Sequence, residues 1–241
     1  MAHRTYLLIH GAWHGAWCWY KLMSRLERLG HTVIAPDLPS LGRDRTPVDR
    51  VSLPLWRECV CNILDTQTEP VILVGHSRGG IVISEAAEQR PHRVRALVYL
   101  SAFLARTGES LLDLARQQQH PSIVLQNMVI SQDRTSATMP DRYIRETFYG
   151  ECSDEDVALA RLLLSPEPTL PFTTSLTVTD ENFGRVPRGY IECLRDKAIA
   201  PALQKQMYTA LACDSVLTLH TDHSPFLSRP DELAAHLSGI T

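Results

Sequence analysis

The chain has 241 residues, of which 44% are hydrophobic and 21% charged, and it carries a formal net charge of −3. That suits one α/β domain with an insertion, and the proportions are those of an ordinary globular protein. No run of one sign points to nucleic acid or an anionic membrane, no apolar stretch nears the roughly 18 residues of a membrane helix, and the opening MAHRTYLLIHGAW has too short an apolar run for a signal peptide, so a cytoplasmic protein is expected.

In chain order, TYLLIH (5–10) reads as a strand, and the spacing of Trp19, Leu22, Met23 and Leu26 predicts a helix over 16–29. HTVIAPDL (31–38) reads as the next strand, and Pro54 opens a helix to Thr66, because proline is preorganised for a first turn. PVILVGH (70–76) is a strand, followed by a helix from Arg78 to about Gln89 and a strand over RALVYLSAF (95–103). Residues 108–185 break this rhythm with RQQQH, SQDRTSATMPD and SPEPTLPF set around helical pieces such as DEDVALARLLL (154–164). RGYIECL (188–194) and SVLTLHT (215–221) are the last strands, followed by helices over 201–210 and 230–238. The strands are continuous apolar runs, as in a parallel sheet covered on both faces. The expected fold is α/β, a mostly parallel doubly wound sheet, with residues 1–107 and 186–241 forming the core and 108–185 a helical cap over the C-terminal edge of the strands.

Six cysteines, Cys18, Cys59, Cys61, Cys152, Cys193 and Cys213, form no C-x-x-C pair and read as reduced, mostly apolar residues. His10 and His14 have no carboxylates clustered with them, which favours loop-organising hydrogen bonds over metal binding. No metal and no cofactor is expected.

The stretch VILVGHSRGG (71–80) runs from a strand through G-x-S-x-G into a helix, the pattern of a nucleophile elbow. Gly75 and Gly79 remove Cβ atoms where the chain turns sharply, which leaves the Ser77 hydroxyl proud of the sheet. A serine nucleophile needs a base, and the base an orienting acid, in the chain order Ser, Asp or Glu, His for this elbow. His223 follows the last strand, and Asp196 follows the strand before it. His220 reads as inside a strand, Asp222 as too close in sequence to His223, and Glu192 as mid-strand. The oxyanion hole is assigned to the backbone N–H groups of Arg78 and Ala12, with Gly11 letting the loop approach the substrate.

HGAWHGAWCWYKL (10–22), VGHSRGG (74–80), VPRGYIECLRDKAIAPALQKQM (186–207), HTDHSPFLSRPDEL (220–233) and the cap stretch FYGECSDEDVALARLLLSPEP (148–168) together resemble the α/β-hydrolase superfamily. More narrowly they resemble the group of plant methyl-ester esterases, α-hydroxynitrile lyases and bacterial esterase relatives. The resemblance implies the α/β-hydrolase fold and a serine carboxylesterase acting on a small to medium, fairly apolar ester. Lyases of the group carry Thr where this chain has Gly11, Glu where it has His76 and Lys where it has Ser224, so the esterase is favoured. Cyanohydrin cleavage, lactone opening, acyl transfer and a small-molecule receptor with vestigial hydrolysis remain alternatives. The esterases of the group usually carry an apolar residue where this chain has Arg78, whose side chain reads as a structural ion pair rather than a contact to an anionic substrate. Met128 and Phe148 are expected to line the pocket. The expected partner is the ester alone, with no nucleic acid and no membrane, and the protein is a monomer or a homodimer.

Overall fold

The computed structural model describes residues 2–118 and 122–240, so the end of RQQQH lies outside the described residues. Six strands form one parallel sheet: β1 (Thr5–Ile9), β2 (Thr32–Ile34), β3 (Val71–His76), β4 (Val94–Leu100), β8 (Arg188–Cys193) and β9 (Ser215–Leu219), in the order β2-β1-β3-β4-β8-β9. The first crossover runs outward from β1 to β2. The next returns across β1 to β3 and then continues the other way. The direction of winding therefore reverses between β1 and β3, and at such a switch point the loops leaving the strand ends splay apart to form a crevice.

Every residue of β3 is buried, as its unbroken apolar run anticipates. Helices α1 (Tyr20–Arg28), α2 (Leu53–Asp65), α3 (Gly79–Gln89), α9 (Pro201–Ala210) and α11 (Pro230–Gly239) cover the sheet, with a short α10 (Pro225–Ser228) before the last. Helix α2 begins where expected because the Ser52 hydroxyl accepts the Leu55 N–H and Pro54 sits in the first turn. In α3 residues Gly79–Glu88 are all buried. Its Glu88 carboxylate accepts N–H groups of Thr179 and Phe183 and the Asn182 side-chain amide, fastening the returning chain ahead of β8.

Between β4 and β8 the chain forms α4 (Leu111–Arg116), α5 (Ile123–Asn127), β5 (Val129–Ile130), β6 (Ser136–Thr138), α6 (Asp141–Phe148), α7 (Asp154–Leu163), β7 (Glu167–Pro168) and α8 (Leu170–Thr173). The small antiparallel sheet β5-β6-β7 was not anticipated, since its segments are too short for a periodicity to show.

Three strand assignments need correction. The strand read over 95–103 is Val94–Leu100, because the chain leaves the ladder at Ser101, which takes φ 41. The second strand covers Thr32–Ile34 only: Pro36 has no N–H to give a ladder, and Asp37 turns to accept the N–H groups of Ala16 and Arg43. The last strand stops at Leu219, leaving His220 exposed beyond it.

Candidate active site

Ser77 follows β3 directly and adopts φ 53, a left-handed conformation that costs a non-glycine residue energy and must be held by its surroundings. Its N–H donates to the Leu100 carbonyl at 3.3 Å, and its own carbonyl accepts from Phe103 at 3.0 Å and Gly80 at 3.1 Å. The glycines make room for this turn. A Cβ on Gly75 would lie 2.8 Å from the Gly79 carbonyl oxygen, and one on Gly79 would lie 2.7 Å from that of Ile9. Helix α3 starts at once, with Arg78 as its N-cap residue.

Asp196 and His223 come from the loops after β8 and β9. The His223 Nδ1–H donates to Asp196 Oδ2 at 2.7 Å, and both side chains are buried. That partner fixes the neutral tautomer, leaving Nε2 as the free basic nitrogen. Asp196 Oδ1 accepts the N–H groups of Ala198 at 2.7 Å and Ile199 at 2.9 Å. Oδ2 also accepts from the Ser101 hydroxyl and, at 3.3 Å, from Gln204 Nε2. His76 joins this pair to the elbow. Its Nε2–H donates to the His223 carbonyl at 2.8 Å, and the two rings lie 4.5 Å apart. Asp222 makes no bond to His223; it accepts N–H groups of Glu151 and Ser224.

The loop after β1 carries Gly11, Ala12 and Trp13, the last at φ 64. His10 Nδ1–H donates to the Gly11 carbonyl at 2.9 Å while its Nε2 accepts the Leu38 N–H. His14 Nδ1–H donates to the Ala12 carbonyl at 2.6 Å while its Nε2 accepts the Tyr149 hydroxyl at 2.6 Å. Both rings are buried, which pushes His14 down to about 3 and His10 well below the ordinary histidine range; burial does the same to His76. Among the described residues neither the Ala12 nor the Arg78 N–H donates a hydrogen bond to any group of the protein. A Cβ on Gly11 would lie 2.8 Å from His76 Nδ1 and 3.0 Å from Ser77 Cβ, so this glycine is needed while His76 keeps its place.

The Arg78 side chain is fully enclosed. Its Nε donates to Glu167 Oε1 at 2.9 Å, its Nη2 donates to the Gly11 carbonyl at 3.0 Å, and the guanidinium carbon lies 4.0 Å from the centre of the Trp56 ring. Burial lowers the Arg78 pKa and raises that of Glu167, and each partner's charge opposes the effect on the other. The expected structural ion pair is therefore present.

Ala12, Arg78 and Ser77 line a narrow pocket with about 50 Å³ of open space, walled by Leu111, Leu125, Met128, Phe148, Phe172 and Ile199. Met128 and Phe148 take the places expected of them. The wall is almost wholly apolar and comes largely from the segment between β4 and β8.

Over residues 6–236 the sequence matches the alpha/beta hydrolase family. The chain belongs to that family. Among similar proteins, putative methylesterase 15, chloroplastic, of Arabidopsis thaliana is 32% identical over 243 residues, covering 95% of this chain and 55% of that protein. Salicylic acid-binding protein 2 of Nicotiana tabacum is 32% identical over 255 residues, covering 98% and 96%. The crystal structure of a polyneuridine aldehyde esterase mutant superposes with a TM-score of 0.90 at 26% identity, over 100% of both chains. A pyrethroid hydrolase from Sphingobium faniae superposes with a TM-score of 0.87 at 27% identity, over 98% and 96%. The chain spans between 54% and 70% of the length of the chloroplastic methylesterases it matches.

Several residues around this site were not singled out from sequence. Ser101 and Gln204 hold Asp196, and only their proximity in space reveals it. Glu167 sits within SPEPTLPF, a stretch read as irregular. Tyr149 belongs to a quoted cap stretch, but nothing local marks its hydroxyl as the partner of His14. Asp222, rejected as the orienting acid, instead ties the loop carrying His223 to the cap through Glu151.

Proposed function

We propose that this alpha/beta hydrolase is a serine carboxylesterase for small to medium esters with a fairly apolar acyl part, methyl esters among them. Ser77 Oγ attacks the ester carbonyl while His223 Nε2 takes its proton. The Ala12 and Arg78 N–H groups receive the oxyanion, each worth about 3 kcal/mol of barrier. The tetrahedral intermediate collapses, the C–O bond to the alcohol breaks, and the alcohol leaves with the proton from His223. Water then attacks the acyl-enzyme with His223 again as base, releasing the acid and restoring Ser77. Asp196 keeps Nε2 free to accept and stabilises the imidazolium that forms.

The observation that carries this reading is the buried 2.7 Å bond between His223 and Asp196, beside an elbow whose serine opens onto an apolar pocket. Relatives named methylesterases support the choice of ester, and the narrow pocket favours a slender acyl group. Cyanohydrin cleavage is disfavoured: a threonine at Gly11 would collide with His76, and Ser224 offers no cation for cyanide. The deciding experiment is Ser77→Ala assayed on p-nitrophenyl esters of increasing acyl length, with mandelonitrile included. Loss of hydrolysis by at least about a thousandfold with an unchanged melting temperature is expected. Retained ester turnover in the mutant overturns the mechanism.

A further inference from the structure

Two peptide units flank Ala12, and together they carry four polar groups. Buried side chains engage three of them. The Gly11 carbonyl accepts from Arg78 Nη2 and His10 Nδ1, the Ala12 carbonyl accepts from His14 Nδ1, and the Trp13 N–H donates to Glu167 Oε2 at 2.8 Å. The fourth, the Ala12 N–H, donates to no group among the described residues and belongs to a residue lining the pocket beside Ser77. A buried backbone N–H left open in this way needs an acceptor. In a trans peptide the N–H points opposite to the C=O, and the chain has no cis bonds among the described residues, so whatever holds the Gly11 carbonyl also aims the Ala12 N–H.

Arg78 and Glu167 grip both sides of this residue at once and are bonded to each other. An enclosed ion pair is a poor source of stability, because desolvating two charges offsets their attraction, and apolar replacements are often as stable. Positioning gives the pair a use that stability does not. We propose that the Arg78–Glu167 pair sets the oxyanion hole: Arg78 supplies one donor from its own backbone and, through its side chain, aims and polarises the other, the Ala12 N–H. This rests on the esterase reading of Ser77. Arg78 and Glu167 are positioning residues in this scheme, acting through the loop and not through contact of their side chains with the ester. A charged donor on the carbonyl of an amide also strengthens its N–H as a donor.

The test replaces both charges by uncharged residues of similar size, Arg78→Met with Glu167→Gln, the glutamine keeping an acceptor for Trp13. Hydrolysis of p-nitrophenyl butyrate is expected to lose about tenfold to a hundredfold in kcat, with KM nearly unchanged and no fall in melting temperature. A trifluoromethyl ketone forms a tetrahedral oxyanion on the serine, whereas the matching methyl ketone binds as a planar carbonyl. The variant is expected to bind the trifluoromethyl analogue of benzylacetone more weakly by the same factor as the loss in kcat, and benzylacetone itself equally well. Should the double variant not fold, Arg78→Lys keeps the charge beside Glu167 but offers one nitrogen where two are used, and must show the same selective loss. Unchanged affinity for the trifluoromethyl ketone, or an equal loss for both ketones, overturns the proposal. A wild-type protein that neither hydrolyses the ester nor binds the trifluoromethyl ketone overturns the esterase reading, and the proposal with it.

Discussion

Replacing Asp196 with Asn exchanges one carboxylate oxygen for an NH2 at the centre of the site, and the surroundings dictate the outcome. The side-chain oxygen of Asn has to stay where Oδ1 is, because the Ala198 and Ile199 N–H groups both point at it. The new NH2 then stands at Oδ2, facing the His223 Nδ1–H, the Ser101 hydroxyl and Gln204 Nε2. Ser101 can turn its hydroxyl round and accept, and His223 can accept only by moving its proton to Nε2. That tautomer cannot take a proton from Ser77. A wrong-tautomer substitution of this kind costs about four orders of magnitude in kcat, or about 5.5 kcal/mol of barrier. The remaining donor-to-donor contact with Gln204 costs about 1–3 kcal/mol of stability, a few degrees of melting temperature for a chain of this size. The assay is steady-state hydrolysis of a p-nitrophenyl ester, run beside a thermal melt. Asp222→Asn is the control, since Asp222 neighbours His223 in sequence but makes no bond to it. If Asp196→Asn kept kcat within tenfold of wild type, or if Asp222→Asn were the more damaging change, the assignment of the orienting acid would fail.

Acidification should destabilise the fold through its enclosed imidazoles. His10, His14 and His76 are held uncharged by burial, so their folded pKa values lie below the roughly 6.5 of an unfolded chain. As pH falls through that value the unfolded chain binds protons that the folded one refuses, and stability drops by about 1.3 kcal/mol per ring, about 4 in all, between about pH 7.5 and 5.5. Urea midpoints across that range check it, with His14→Gln expected to remove about a third of the slope; a flat profile would contradict the burial of these rings. A Gly11→Ala substitution places a Cβ 2.8 Å from His76 Nδ1, and overpacking of this kind costs about 1–3 kcal/mol. A double-mutant cycle with His76→Ala should return a clear part of that cost, whereas strict additivity would mean that the collision is not what makes the glycine necessary.

What was legible in the sequence is what depends on local chemistry. The elbow could be read because the constraint on Ser77 arises within a few residues: a strand, two glycines without Cβ atoms and a helix start. Asp196 and His223 could be placed because catalytic loops in a parallel sheet follow strand ends, and the strands were plain as buried apolar runs. In the short edge strand β2 the stop at Pro36, which has no N–H for a ladder, is legible in the sequence, whereas the turn of Asp37 to accept the N–H groups of Ala16 and Arg43 is not. The cap resisted reading for a different reason: its strands are two or three residues long, and neither a period of two nor one of 3.6 can be recognised over such a span.

Arg78 shows where the boundary falls. That an enclosed arginine needs an acidic partner follows from its charge alone, but which acid serves depends on the route of the chain far away. Glu167 qualifies because β7 pairs antiparallel with β6, setting it opposite Ala137. The Ala137 carbonyl accepts the Trp13 indole N–H at 2.9 Å, and the Trp13 carbonyl accepts the Ser165 N–H at 3.0 Å. The cap sheet is thereby seated on the loop after β1 and brings its carboxylate to the Trp13 N–H and the Arg78 guanidinium together. A residue type can announce that it needs a partner, whereas the partner is chosen by tertiary contacts made across the whole insertion. The cap is thus more than a cover for the pocket, since it supplies part of the scaffold that shapes the floor.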